Sequence, residues 1–316
     1  MKVVPLREEH LADAAALVSR RYQGLREQVP SLPPRYAEVS TLLPMLRDIA
    51  GAGPGVAAIH GGQLVGFLTG WLIPSFRGKR SAFSPEWANA ADPANSQRIY
   101  EQMYTHLSAS WVRDGYTTHL ISLLTNDRDG LEGWHWLGFG MLAADAVRDL
   151  QPVPGRDTGA EIRRAGLQDL EQVRTLTEAL VQYMTEPPIF LVNTEERDVA
   201  YYEEWLQNPD RVIWLAFDGA EAVAFMRLGP ANEDASNIIY DEKTTSVTGA
   251  FTRERARGGG IATALLNRSL AWARAKGYER CAVDFEPMNP LATRFWLRHF
   301  QPVCYAVVRH VDESVA

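Results

Sequence analysis

The sequence predicts an α/β protein built from two similar domains in tandem, each an α+β mixed sheet. Three observations carry that prediction. Segments recur in the same order in the two halves, each half mixes hairpin signals with helix-length amphipathic runs, and a proline- and glycine-bearing stretch separates them.

The repeat is read from four segment pairs. PLREEHLADAAALVSR from Pro5 matches RRAGLQDLEQVRTLTE from Arg163, and VAAIHGGQLVGFLTGWL from Val56 matches WLAFDGAEAVAFMRLG from Trp214. WVRDGYTTHLISLL from Trp111 matches WARAKGYERCAVDF from Trp272, and WHWLGF from Trp134 matches FWLRHF from Phe295. The nearly constant offset indicates duplication of one domain rather than a short-period solenoid. QPVPGRDTG, 151–159, lacks apolar periodicity and reads as a linker between domains 1–150 and 160–316.

Each half opens with a short strand and an amphipathic helix. Leu11, Ala14, Ala15 and Val18 supply the helical stripe in the first, and Leu167, Leu170, Val173, Leu176 and Leu180 in the second. A segment rich in proline and aromatics follows. In the second half it runs from Glu186 to Trp205, where Tyr201, Tyr202 and Trp205 are core or pocket lining. Glu195, Glu196, Glu203 and Glu204 form a solvated face or favour a cationic substrate. A hairpin comes next, turning at His60-Gly61-Gly62 or Asp218-Gly219-Ala220, residue types that tolerate positive φ. Another strand, a long helix, a strand, a short helix and a final strand complete each half.

Composition narrows the function. With 46% hydrophobic and 22% charged residues the chain is globular, and a net charge of -7 argues against nucleic acid as a partner. No apolar run approaches the roughly 20 residues of a membrane span. The amino terminus lacks the unbroken apolar core of a signal peptide, so a cytoplasmic location is expected. Cys281 and Cys304 fall in strand-like apolar runs and read as buried thiols, with no support for a disulfide framework or a metal site.

The most informative stretch is RGGGIATALLNRSLAWARA, from Arg257. Leu265, Leu266, Leu270, Trp272 and Ala273 form the buried face of a helix starting near Ile261, with Gly277 as its C-terminal cap. The first turn of a helix leaves backbone N–H groups without partners, and the helix dipole makes that end positive. Glycines allow an anion to approach those amides closely, and Arg257 adds charge and donors. The stretch reads as a diphosphate cradle, although its spacing fits neither the dinucleotide fingerprint nor the P-loop.

Arg257-x-x-Gly260-x-Ala262 fits the R/Q-x-x-G-x-G/A motif of the GNAT acyltransferase superfamily, and Asn289-x-x-Ala292-x-x-Phe295-Trp296 fits its second signature. On these residues the chain resembles a tandem GNAT protein of bacterial type. The resemblance is tight over 246–300 and loose elsewhere. It implies an acetyl-CoA-dependent N-acetyltransferase without a metal, acting on an amine of a small molecule or peptide, as a monomer or homodimer. It further implies that Gly258, Gly259, Gly260, Ile261, Ala262 and Thr263 hold the cofactor's diphosphate. Ala250, Phe251 and Thr252 would offer a strand edge to its pantetheine arm. Asn289, Ala292 and Phe295 would contact it from the far side. The first half lacks the glycine loop: the matching region is ADPANSQRIYEQ, with a helix starting near Asn95 or Ser96, and Asp127 falls near the counterpart of Asn289. That copy reads as degenerate.

Acyl transfer to an amine needs the amine neutral, although free amines are mostly protonated at neutral pH. Glu286, and less so Asp284, are the candidate bases, placed by alternation on one face near the end of a strand. Family members often use a tyrosine where this chain has Trp296, whose indole N–H is no acid at neutral pH. The proton for the leaving thiolate comes from solvent or another group such as Tyr305 or His299, or none is needed. A non-catalytic CoA-binding or ligand-sensing module is the alternative.

Overall fold

A computed structural model describes residues 1–192, 198–231 and 236–315. The chain divides into two compact units, and the division is not at a single point. Unit 1 comprises Met1–Asp145, Ser236–Ile238 and Pro302–Ala316, and unit 2 comprises Ala146–Ala235 and Ile239–Gln301.

Unit 1 runs β1 (Lys2–Pro5), α1 (Glu8–Gln28), α2 (Val39–Ala52), β2 (Gly55–His60), β3 (Gln63–Thr69), β4 (Trp71–Phe76), β5 (Lys79–Ser84), β6 (Asn89–Ala91), α3 (Ser96–Arg113), β7 (Thr118–Leu124) and α4 (Arg128–Trp136). β8 (Gly140–Asp149) then carries the chain across the unit boundary. The predicted stripe of Leu11, Ala14, Ala15 and Val18 is buried on α1. The predicted His60–Gln63 hairpin joins β2 to β3, with Gly61 and Gly62 at φ 58° and 82°. β1, β2, β3 and β6 form one antiparallel sheet. β5 pairs parallel with β7.

Unit 2 runs β9 (Glu161–Arg164), α5 (Leu170–Thr185), α6 (Val199–Gln207), β10 (Val212–Asp218), β11 (Glu221–Pro230), β12 (Thr244–Thr252), α7 (Ile261–Ala275), β13 (Arg280–Phe285) and α8 (Pro290–His299). Its strands lie in the order β13-β12-β11-β10-β9. Leu176 of α5, Tyr202 and Trp205 of α6 and Leu215 and Phe225 of the sheet share one apolar cluster, so these α6 aromatics are core. Glu195 and Glu196 lie outside the described residues. Leu265, Leu266, Leu270 and Ala273 are buried along α7. Leu167 departs from its predicted place: it is 50% exposed, in a short turn that precedes α5. Asp169 in that turn accepts two hydrogen bonds from Arg163, at 2.7 Å each, which fixes the entry into the helix.

The final strand, β14 (Gln301–His310), pairs antiparallel with β7, from Cys304↔Leu124 to His310↔Thr118. Nearly all of it therefore groups with unit 1, which is why a division by sequence order does not match the compact units. The 151–159 stretch has no regular secondary structure, yet it is anchored. Val153 donates its amide to Asn267 Oδ1 at 2.8 Å and accepts from Asn267 Nδ2 at 2.9 Å. Cys281 and Cys304 are free and buried, and burial pushes the Cys281 thiol up to about 12.

The core of unit 1 contains a titratable group with a large effect. His119 is fully buried, pairs through Nδ1 with Tyr104 Oη at 2.7 Å and through Nε2 with the Tyr116 carbonyl at 2.9 Å. The carbonyl can only accept, so Nε2 carries the proton and Nδ1 accepts from the tyrosine. Burial lowers the pKa from the ordinary 6.5 to about 4. Above 6.5 the ring is neutral in both the folded and unfolded states. As pH falls from 6.5 through 4, only the unfolded state gains the proton, so stability is lost in that window. The loss amounts to roughly 3 kcal/mol. Denaturant unfolding at pH 7 and near pH 4 should show this, and His119→Phe should flatten the dependence by that amount. Equal pH dependence in the two proteins would contradict the assignment.

Candidate functional site

The site in unit 2 begins with a local irregularity in the sheet. In the β11–β12 ladder Arg227 faces Gly249 and Leu228 faces Val247, so Thr248 is an extra residue, a β-bulge. Arg227 buttresses it, donating Nε to Thr248 Oγ1 at 3.1 Å and Nη2 to the Thr248 carbonyl at 2.7 Å. The parallel β12–β13 pairing covers Thr244–Val247 against Arg280–Val283 and stops where the bulge begins. Beyond it, Ala250, Phe251 and Thr252 stay paired to Met226, Phe225 and Ala224 on β11 but not to β13. That leaves a strand edge whose backbone donors and acceptors are available to a ligand.

The glycine loop closes one end of this gap. Gly258 and Gly260 have φ of 74° and 88°, the left-handed region that glycine enters without a steric cost, whereas Gly259 does not have positive φ. Gly260 is the N-cap of α7 with no side-chain cap, and the Ala264 amide makes its helix bond to the Gly260 carbonyl at 3.0 Å. The amides of Ile261, Ala262 and Thr263 precede that bond and lack an intrahelical partner. Arg257 donates Nε to the Thr252 carbonyl at 2.9 Å, and its guanidinium carbon lies 4.9 Å from the Tyr183 ring centroid and 5.8 Å from that of Phe251.

Asn289 forms the far wall. Its side chain caps α8 by accepting the Ala292 amide at 3.2 Å and also accepts from Tyr183 Oη at 3.3 Å. Its Oδ1 is thus held by two donors, which fixes which way the amide nitrogen faces.

These pieces enclose a cavity of about 350 Å³. Of the sequence-derived candidates, Ala250, Phe251 and Thr252 line it from β12, Arg257, Gly258 and Gly260 from the loop, and Ile261, Ala262 and Thr263 from α7. Asn289, Ala292 and Phe295 line it from the other side. Gly259 lies instead on a neighbouring hollow with Thr158 and Arg255. Trp296 also lines the cavity.

The proposed bases are placed differently. β13 ends at Phe285, so Glu286 lies just past the strand rather than on it, in a turn closed by the Asn289 amide on the Glu286 carbonyl at 2.9 Å. Pro287 cannot donate to a ladder and helps end the strand there. Asp284 is the exposed residue of an otherwise buried strand, although the protein mass around its carboxyl raises its pKa. Neither is among the described residues that line the cavity. His299 packs against Phe295, with centroids 4.9 Å apart, and burial followed by Arg148 lowers its pKa. Tyr305 sits on β14, in unit 1.

Sequence reasoning did not assign Leu180, Tyr183, Phe225, Met226, Leu291 or Arg298 to the cavity. Leu180 and Tyr183 are three apart on α5 and so share a face, which was the available signal.

In unit 1 the corresponding place is filled. Asp127 caps α4 by accepting the Gly130 amide at 3.0 Å, as Asn289 caps α8, but it is ion-paired with Arg21 at 3.2 Å. Tyr100 donates to Asn89 Oδ1 at 3.1 Å beside them, and the remaining space is about 10 Å³, room for at most one water. The turn before α3 carries the Asp92 carboxylate, bonded to the Ala94 amide at 2.9 Å, where unit 2 has glycines.

Among the described residues no His, Cys, Asp and Glu cluster could hold a metal, and no helix is long and apolar enough to cross a membrane.

Residues 177–300 match the model of the acetyltransferase (GNAT) family. No curated protein matches the sequence. Among solved structures, a GCN5-related N-acetyltransferase from Sphaerobacter thermophilus aligns over 98% of this chain and 95% of its own, with 13% identity and a TM-score of 0.59. A GCN5-related glucosamine N-acetyltransferase region of a fungal multi-domain GH3 β-N-acetylglucosaminidase aligns over 97% of this chain and 38% of its own, with 12% identity and a TM-score of 0.54. At these identities the likeness is one of fold, and it spans both halves of the chain.

Proposed function

Proceeding from a GNAT domain in residues 177–300, we propose that unit 2 is an acetyl-CoA-dependent N-acetyltransferase that acts on an amine of a small molecule or peptide. The observation that carries this reading is the meeting, in one cavity, of an unpaired β12 edge and a helix N-terminus preceded by positive-φ glycines.

The residues present fit the cofactor. Unpartnered amides at the start of α7 suit a diphosphate, and Arg257 adds charge. The free edge from Ala250 to Thr252 suits an extended arm carrying amide groups, bound as an added strand. Acetyl-CoA supplies the activated acetyl group. The chain's own contribution to the chemistry is a backbone N–H at the β12 edge, which stabilises the charge that develops on the acyl oxygen. Glu286 takes the proton of the attacking amine, directly or through an intervening water.

Release of free CoA thiol is measured with a panel of amines, amino acids, polyamines, aminoglycosides and peptides, alongside CoA binding by calorimetry. Turnover supports the enzyme. Binding with no turnover across the panel favours a CoA-binding sensor, and absence of binding removes the proposal. Glu286→Gln should lower kcat about 100-fold with CoA affinity unchanged. Full activity with the same pH profile would exclude Glu286 as the base.

A further inference from the structure

The 151–159 stretch reads in sequence as a plain connector, yet it delivers a guanidinium to the back of the glycine loop. Arg156 donates Nε to the Gly259 carbonyl at 3.0 Å and Nη2 to the Gly258 carbonyl. The approach is close: a Cβ on Gly260 would stand 3.1 Å from both Cγ and Nε of Arg156 and 3.5 Å from Thr158 Cγ2. The stretch is fixed upstream by the two bonds between Val153 and Asn267, on the second turn of α7.

In a trans peptide the carbonyl and the next residue's N–H point in opposite directions. A guanidinium holding the carbonyls of Gly258 and Gly259 therefore turns the amides of Gly259 and Gly260 away from itself. The alternating φ signs across Gly258, Gly259 and Gly260 are those of a backbone concavity that binds anions through successive amides. Three glycines give the loop great freedom, and freedom lost on binding weakens affinity. Arginine's rigid fork suits two neighbouring carbonyls in a way the point charge of lysine does not.

We propose that Arg156 is a positioning residue for the diphosphate loop. It presets the loop in the anion-binding conformation before ligand arrives and places a fixed positive charge behind it. The proposal rests on the reading of unit 2 as a CoA site. It assigns a function to the 151–159 stretch: this segment of unit 2 is part of the cofactor site.

The test compares wild type, Arg156→Ala and Arg156→Lys in the full chain. Measured are CoA affinity by calorimetry, melting temperature without ligand, and kcat at saturating acetyl-CoA where turnover is found. Arg156→Ala should weaken CoA binding about tenfold, with the ligand-free melting temperature and kcat nearly unchanged. Arg156→Lys, which keeps the charge and loses the fork, should fall between the two. Affinity within twofold of wild type in Arg156→Ala overturns the proposal, and full recovery in Arg156→Lys overturns the role of the fork. Should Arg156→Ala fail to fold, weaker binding by Arg156→Lys supports the proposal and equal binding overturns it. Wild type that does not bind CoA removes the site itself, whereas wild type that binds while Arg156→Ala binds equally removes only this inference.

Discussion

Gly260→Val should weaken acetyl-CoA binding at least about 100-fold, equivalent to nearly 3 kcal/mol. Gly260 sits at φ 88° and ψ 0°. A side chain in that region costs on the order of 1–2 kcal/mol, and a β-branched residue is a genuine outlier there. The new Cβ would also press on Arg156 at 3.1 Å, so the arginine must shift by a few tenths of an ångström, which strains its hold on the loop carbonyls. The loop relieves both strains by rotating its peptides, which takes the amides out of their anion-binding arrangement. The helix itself survives, because Leu265, Leu266, Leu270 and Ala273 still bury its apolar face. Calorimetric titration should therefore show lost affinity in a protein that still melts cooperatively. Unchanged affinity would mean that the loop conformation does not matter to binding.

Arg257→Glu should have an effect of similar size through charge. The native guanidinium is tied to the Thr252 carbonyl and lies against the Tyr183 and Phe251 rings, so it is a fixed charge beside the loop. At about 5 Å and an effective dielectric constant near 20, each unit charge pair contributes roughly 3 kcal/mol before desolvation and screening. Reversal turns attraction into repulsion and also breaks the tie to β12. Binding should fall by about 100-fold or more at low salt, and the deficit should narrow as ionic strength rises. Arg257→Lys keeps the sign of the charge and should lose much less. A charge-reversed protein that binds CoA normally would show that no diphosphate comes near Arg257.

The parts of this site that were legible in sequence are local. Three glycines abutting an amphipathic run announce a loop that needs positive φ at a helix start, and Gly258 and Gly260 have it. The second signature singles out Asn289 and Ala292, and in the fold the Asn289 side chain accepts the Ala292 amide beside the cavity. The parts that were not legible depend on partners far away in the chain. Nothing in TTSVTGAFT shows that Thr248 bulges, because register is set against β11 and by Arg227. Tyr183 reaches the cavity only because α5 packs over the sheet, and its hydrogen bond to Asn289 spans 106 positions. The alternation that puts Asp284 and Glu286 on one strand face presumed a strand continuing to Glu286, whereas it ends at Phe285. The last strand follows the duplicated pattern in sequence yet pairs with β7, a choice made by tertiary contacts that periodicity does not encode. Arg156 was hidden for the opposite reason: its surroundings of proline and glycine look like a connector, and only the folded chain shows what the guanidinium holds.

The most direct measurement is a crystal structure of the protein grown with CoA. The account predicts the diphosphate on the amides between Gly258 and Thr263 and the pantetheine arm paired along Ala250 to Thr252. Density for CoA elsewhere, or a loop and strand edge left bare at saturating CoA, would contradict it.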